Sequence, residues 1–240
     1  MSDVDDSLEP TILSSSQEAQ WISLSDLMTG LMMMFMLIAI AFMMKVEADE
    51  AKAKQVAILY DQVRQELYEE LYKEFKKDLP TWGAEITKDL IVRFKEPEVL
   101  FNTGQAELKP RFQEILQQFF PRYVAIITSD KYKNSIQEIR IEGHTSSIWN
   151  GSTNLKEAYY KNMELSQSRT RSTLHFVLEL PEVQKDSDWL RKHVTANGLS
   201  SSQPIPNDDG TENSQRSQRV EFRIRTDAEG GIANILKSMQ

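Results

Sequence analysis

Asp26 is the residue whose setting most demands a chemical explanation. It stands in the run WISLSDLMTGLMMMFMLIAIAFMM (21–44), where Leu27 to Met44 is interrupted by only one polar side chain, Thr29. An ionised carboxylate in hydrocarbon costs about 2.5–3.5 kcal/mol on insertion scales, so hydrocarbon favours the protonated acid. A carboxyl that one proton neutralises, and that can give the proton up again, is a proton carrier. At helical spacing Ser23 lies one turn above Asp26, Thr29 and Gly30 one turn below, and Met33 two turns below, all on one face. Gly30 would let a neighbouring helix approach closely. One carboxylate on one helix makes no pathway, so a multi-span partner must surround it. The expected ion-translocating residue is therefore Asp26, with Thr29 and Ser23 in support, and the expected ion is H⁺. Na⁺ would need several oxygen ligands, and Ser23, Ser25 and Thr29 are too few to settle that choice. A plainer alternative makes Asp26 a helix N-cap at headgroup level. Trp21 and Ile22 argue that the membrane begins before it.

Other chemistry is thinly represented. The chain has no cysteine, which removes disulfides, thiolate metal sites, cysteine nucleophiles and acylated cysteines. His144, His175 and His193 are scattered without ligand spacing, so no metal and no cofactor are expected. No nucleophile, base and orienting group occur together and no phosphate loop is present, so an enzyme is not expected. The net charge of −8 and the lack of a basic stripe argue against direct nucleic-acid binding.

The elements that must position Asp26 follow from hydropathy. Residues 1–20 carry five acids, a Ser run and no Lys or Arg, and read as a short disordered tail. Residues 21–44 read as a transmembrane helix. Leu27 to Met44 alone rises about 27 Å, and the six residues before it complete a span of the hydrocarbon core. A cleaved signal peptide would need a basic lead and a small-residue cleavage site, and both are missing. Residues 45–79 read as a helical stalk, free of Gly and stopped by Pro80. Its apolar stripe is Val56, Leu59, Val63, Leu67, Leu71 and Phe75. The stripe suits packing on the chain's own domain or parallel pairing with a second copy.

Residues 80–226 read as one α/β domain, followed by a tail at 227–240. Strands are expected at about 86–94, 136–144, 193–198 and 218–225, and helices after Pro110 and over 155–180. The segment SSSQPIPNDDGTENSQ is too polar for core. Lys45, Lys52, Lys54 and Arg64 follow the span and no basic residue precedes it, which alone would place the C-terminus in the cytoplasm.

Two resemblances bear on this reading. Trp21, Asp26, Met28, Thr29 and Met32 match the W-x(4)-D-[LF]-M-T-x-x-M core of the B subunits of rotary stator units. These include the flagellar MotB proteins and the ZorB proteins of Zorya anti-phage defence. The WIS opening, Leu27 and the non-aromatic run after Met32 resemble the Zorya version more closely. The second half resembles an OmpA-like peptidoglycan-binding domain through VLFNTGQAEL (99–108), IRIEGHT (139–145), NMELSQSR (162–169) and RVEFRI (219–224). The implied architecture is a single transmembrane helix, a helical stalk and an OmpA-like α/β sandwich.

The resemblance implies a stator subunit of an anti-phage complex, carrying protons and anchored to peptidoglycan. Two copies would stand inside five MotA-like A subunits. The implied location is the bacterial inner membrane, single-pass, with the N-terminus cytoplasmic and the domain periplasmic. Long domains translocate largely regardless of charge, so this outweighs the lysines after the span. A flagellar-type stator subunit and a non-conducting wall anchor are the alternatives. The family holds the diaminopimelate of peptidoglycan largely through an Asp after GHT and the Arg of LSxxR. Here Arg169 is present, but Ser146 follows GHT, and Ser217 and Gln218 replace the Asn and first Arg of NRRVE. The implied wall-binding residues are Arg169, Asn162, Leu165, His144, Thr145 and Arg219. Arg169 could instead bond the domain's own loop, and His144 could fix a loop. Trp149, Asn150, Tyr159 and Tyr160 could hold glycan in another way.

Overall fold

A computed structural model of the chain describes residues 9–95, 97–150 and 154–226. The chain divides into two units, Met1–Gln55 and Val56–Gln240. The first helix, α1 (Glu9–Phe75), contributes to both. It begins inside the segment expected to be disordered. Pro10 falls in the first turn, where a missing N–H is harmless. Extending a helix that already exists avoids the cost of a new nucleus. Residues 1–8 and the tail at 227–240 lie outside the described residues.

In the first unit, the stretch of α1 long and apolar enough to cross a membrane runs Trp21–Lys52. Its large side chains from Trp21 to Val46 are exposed on every side, as a lipid-facing helix requires.

The second unit opens with the end of α1. Leu67, Leu71 and Phe75 are completely buried in its core, and Val63 packs against that core. The lower half of the expected stalk stripe therefore covers the chain's own domain. Those three positions are unavailable to a seam with a second copy. Arg122 ties the helix down through Glu74 (2.7 Å) and Asp78 (2.8 Å).

After a short turn of helix, α2 (Leu79–Trp82), the expected single strand at 86–94 is a hairpin, β1 (Ala84–Ile86) and β2 (Ile91–Phe94). The polar Thr87-Lys88-Asp89 makes the turn, and buried Leu90 closes it with a left-handed φ of 59°. The chain continues through α3 (Pro97–Leu100), α4 (Pro110–Ile127), β3 (Ile136–His144), α5 (Leu155–Leu178), a 3₁₀ turn (Pro181–Asp186), α6 (Ser187–His193), β4 (Val194–Gly198), α7 (Ser214–Ser217) and β5 (Arg219–Thr226). The sheet order is β1-β2-β5-β3-β4, antiparallel except for β3 with β4. The α5 crossover joins that parallel pair.

Alternation along the strands separates two faces. Val92, Phe94, Ile139, Ile141, Phe222 and Ile224 form the buried apolar set. Phe119 of α4 is the hub, 5.2 Å from Phe75, 5.4 Å from Phe94 and 5.2 Å from Phe222 between ring centroids. Arg93, Glu142, Glu221 and Arg223 alternate with that set and make ion pairs with one another.

α5 lies directly on the ends of β3 and β4. Gly143 and Gly198 are register partners there. A Cβ at Gly198 would stand 2.3 Å from the backbone N of Gln167, and one at Gly143 would stand 2.9 Å from the carbonyl O of Ser166. Gln167 also completes the edge of β4. Its side chain accepts from the N–H of Gly198 (2.8 Å) and donates to the carbonyl of Ala196 (3.3 Å).

Candidate wall-binding cleft and intramembrane acid

Asp26 lies well inside α1, so the capping alternative does not hold. The backbone N–H groups that an N-cap would satisfy are already within the helix. Thr29 donates its hydroxyl to the carbonyl of Ser25 (2.8 Å). That leaves the oxygen lone pairs, but no proton, to offer elsewhere. A Cβ on Gly30 would meet nothing within 4 Å. The face carrying Asp26 is thus small and open beside the acid.

The second candidate is a cleft of about 280 Å³ in the α/β unit. The close seat of α5 on the strand ends places three sequence-expected residues on it, Asn162, Leu165 and Arg169. Thr145, at the end of β3, stands among them. Ser146, Trp149 and Gln218 also line it.

Arg169 is only 8 % exposed. Its Nε donates to the carbonyl of Gln105 (2.9 Å) and one terminal nitrogen to that of Asn102 (3.1 Å). Its guanidinium carbon lies 4.9 Å from the centre of the Phe101 ring. The FNTGQAEL turn is therefore folded around this side chain. Two carbonyls use two of the five N–H groups and leave the charge unbalanced. Burial pushes the Arg169 pKa down to about 10, and no acid among the described residues opposes it. The loop-bonding and ligand-facing roles are thus compatible. The loop aims the cation, and the cation lacks an anion. Thr145 adds a buried hydroxyl with no hydrogen-bond partner among the described residues.

The cleft wall is held from behind. Asn162 is 3 % exposed, and its side-chain amide donates to the carbonyl of Ile148 (3.2 Å). The Glu212 carboxylate accepts from the Ser147 backbone N–H (3.1 Å) and from its hydroxyl. The segment after β4, residues 200–215, is polar apart from Pro204, Ile205 and Pro206, yet it is structural. Ser200 is fully buried with a left-handed φ of 52°. Its N–H donates to Ser166 Oγ (3.0 Å), its hydroxyl to the Tyr159 carbonyl (2.8 Å), and its own carbonyl accepts from the Thr145 N–H (2.9 Å).

Two expected wall-binding residues sit elsewhere. His144 and Arg219 do not line the cleft. With Glu142 and Glu221 they form a buried cluster beneath it. The three ligand-type atoms of Glu142, His144 and Glu221 lie within 4.8 Å of one another, a grouping that the scattered sequence positions did not reveal. A cation is poorly suited to it, because guanidinium groups already occupy the carboxylates. Glu221 accepts from Arg93 and Arg219, both at 2.7 Å, and Arg223 reaches Glu142 at 2.9 Å. Burial alone would raise the Glu221 carboxyl, but His144 and Arg219 outweigh it and hold it well below the carboxylate range. Burial, reinforced by Arg219, lowers the His144 pKa despite Glu221 at 3.7 Å and Glu142 at 3.9 Å.

That cluster makes stability acid-sensitive. The unfolded chain takes up the His144 proton first, so its contribution is present above about pH 6.5 and falls as pH drops below it. Glu221 adds a further loss below about pH 4.5. The denaturation midpoint of the full chain in detergent should fall between pH 7.5 and 5.5. His144→Gln should flatten that slope, and an unchanged slope in the variant would refute the assignment.

No protein-family model matches the chain. Comparison with solved structures finds a MotB-like protein from Desulfovibrio vulgaris at a TM-score of 0.50 and 22% identity, covering 70% of this chain and 96% of that one. The cell wall anchor of the type VI secretion system from Pseudomonas aeruginosa aligns at a TM-score of 0.45 and 18% identity, covering 65% and 97%. The long apolar helix is thus followed by a domain with the fold of that MotB-like protein. Among curated proteins, the Zorya protein ZorB of Escherichia coli strain Crooks is 46% identical over 218 residues, which are 90% of this chain and 92% of that protein. An identity of that size, over nearly the full length of both chains, means that this chain belongs to the ZorB family of Zorya proteins.

Proposed function

We propose that the chain is the wall-anchored, ion-carrying B-type subunit of a stator-like anti-phage complex, and that it acts by binding and anchoring rather than by catalysis. The helix at 21–44 crosses the inner membrane once, with the N-terminus cytoplasmic and the α/β domain in the periplasm. A MotA-like multi-span partner surrounds Asp26, in the ratio of five A to two B, and completes a path for H⁺. The cleft holds peptidoglycan and keeps the B dimer from turning with its partner.

The observation that carries the anchoring half is Arg169, a buried cation in an open cleft with no anion beside it among the described residues. A stem-peptide carboxylate would supply the missing charge, and a charge-assisted pair of this kind forms readily with a guanidinium. Ser146 is too short and uncharged to hold the ligand's ammonium group, so the carboxylate end bears most of the recognition.

The test is co-sedimentation of the full chain with purified sacculi. Arg169→Leu should reduce the bound fraction at least about tenfold, since a buried charged pair is worth about 2 kcal/mol or more. Binding equal to that of the unaltered chain would sink the assignment.

A further inference from the structure

The rim of the cleft carries a feature that carboxylate capture does not use. Ile148 is 60 % exposed, and it lines the cleft together with Trp149. The start of their loop is held at two adjacent residues, by Asn162 on the Ile148 carbonyl and by Glu212 on Ser147. The Lys161 ammonium stands over one face of the Trp149 ring, 6.0 Å from its centre, which places a donor at that face. The arrangement is a fixed apolar shelf with polar groups at its edge, continuous with a cationic pocket.

We propose that the Ile148–Trp149 rim is a carbohydrate subsite, on which one pyranose ring of the glycan strand stacks while its stem peptide enters the cleft toward Arg169. The axial C–H groups of a pyranose present a weakly positive apolar face, and an indole presents a negative one. The ring hydroxyls and acetamido group remain at the edge, where Lys161 and Asn150 can reach them. Continuity favours this occupant. A stem peptide is covalently joined to a sugar, so a peptide carboxylate at Arg169 brings a sugar ring to the cleft mouth. A shelf for an unrelated apolar partner would have no reason to share a wall with an unbalanced cation.

This inference rests on the wall-binding reading, and the experiment separates the two. The full chain in detergent is titrated with a diaminopimelate-containing stem tripeptide, and with the same tripeptide attached to its N-acetylglucosaminyl-N-acetylmuramic acid disaccharide. The disaccharide form should bind about three- to tenfold more tightly, the size of one stacking contact. Trp149→Ala should bring that ratio to about one, and Trp149→Phe should restore part of it. Leu155→Ala removes an apolar side chain that is more exposed, at 79 %, but lies off the cleft, and it should leave the ratio unchanged. Equal affinity of the unaltered chain for the two ligands would overturn the subsite, as would a ratio that survives Trp149→Ala. Binding of neither ligand would overturn the wall-binding reading and this inference together. A Trp149→Ala variant that changes oligomeric state but keeps the ratio would assign the rim to a second copy of the chain instead.

Discussion

Asp26→Asn will abolish phage protection while the protein still reaches and stays in the membrane. The substitution keeps the shape of the side chain and both polar atoms at its tip. It removes only the capacity to take up and release a proton at that point on the helix. Around Asp26, Thr29 is bonded to its own backbone, and between Trp21 and Met44 Asp26 is the one titratable side chain. Nothing nearby can substitute for the carboxyl. The amide also avoids the cost of burying a charge, about 2.5–3.5 kcal/mol on insertion scales, so the membrane level of the variant should match or exceed that of the unaltered protein. Plaque counts on cells carrying the variant should equal those on cells without the system. Proton flux through the reconstituted complex should fall to background. Asp26→Glu keeps the chemistry on a longer arm and should retain a fraction of both activities. Full protection by Asp26→Asn would exclude ion carriage and leave a passive wall anchor.

The second large effect is expected at a glycine with no chemistry of its own. Gly198→Ala places a Cβ 2.3 Å from the backbone N and 2.6 Å from the Cα of Gln167. Neither atom belongs to a flexible side chain, so α5 or the end of β4 must shift. Overpacking of this kind costs about 1–3 kcal/mol and occasionally more. The Tm of the domain should fall by about 2–12 °C, given 2–4 °C per kcal/mol for a unit of this size. The same shift moves Asn162, Leu165 and Arg169, which α5 carries to the cleft, so sacculus binding should weaken even at temperatures where the variant is folded. Gly210→Ala, away from the cleft, is the useful comparison. A Cβ there meets nothing within 4 Å, although its φ of +82° makes the change strained. An unchanged Tm in Gly198→Ala would show that the helix has room the structure does not display.

The elements of this chain were legible to different degrees, for physical reasons. Asp26 could be read from the sequence because hydrophobicity is a local property. An acid at the head of an eighteen-residue run interrupted by only one polar side chain needs no partner to be recognised. The strands ending at His144 and beginning at Arg219 were legible for a similar reason, since period-two alternation is written along the chain. Arg169, Asn162 and Leu165 became candidates through family resemblance, and the fold brought all three to one cleft. The hairpin at 84–94 was misread as one strand because Leu90, an apolar residue, supplies the left-handed turn position that a glycine would have announced.

Long-range packing decided the rest. His144 and Arg219 look like cleft residues by motif, yet strand pairing of His144 with Arg219 puts them into a buried ion cluster with Glu221. The stalk stripe was open to two partners, and the covering of Leu67, Leu71 and Phe75 by the domain's own core resolved its lower half. Ser200 and Ser217 sit in a segment whose composition reads as solvent-exposed loop, and both are fully buried through hydrogen bonds to distant backbone. What belongs to one helix or one strand, the acid in its span and the alternating faces, was already written in the order of the residues. The lone cation of Arg169, the clamped rim of Ile148 and Trp149 and the glycine seat of α5 required tertiary structure, because each depends on atoms tens of residues away meeting within a few ångströms.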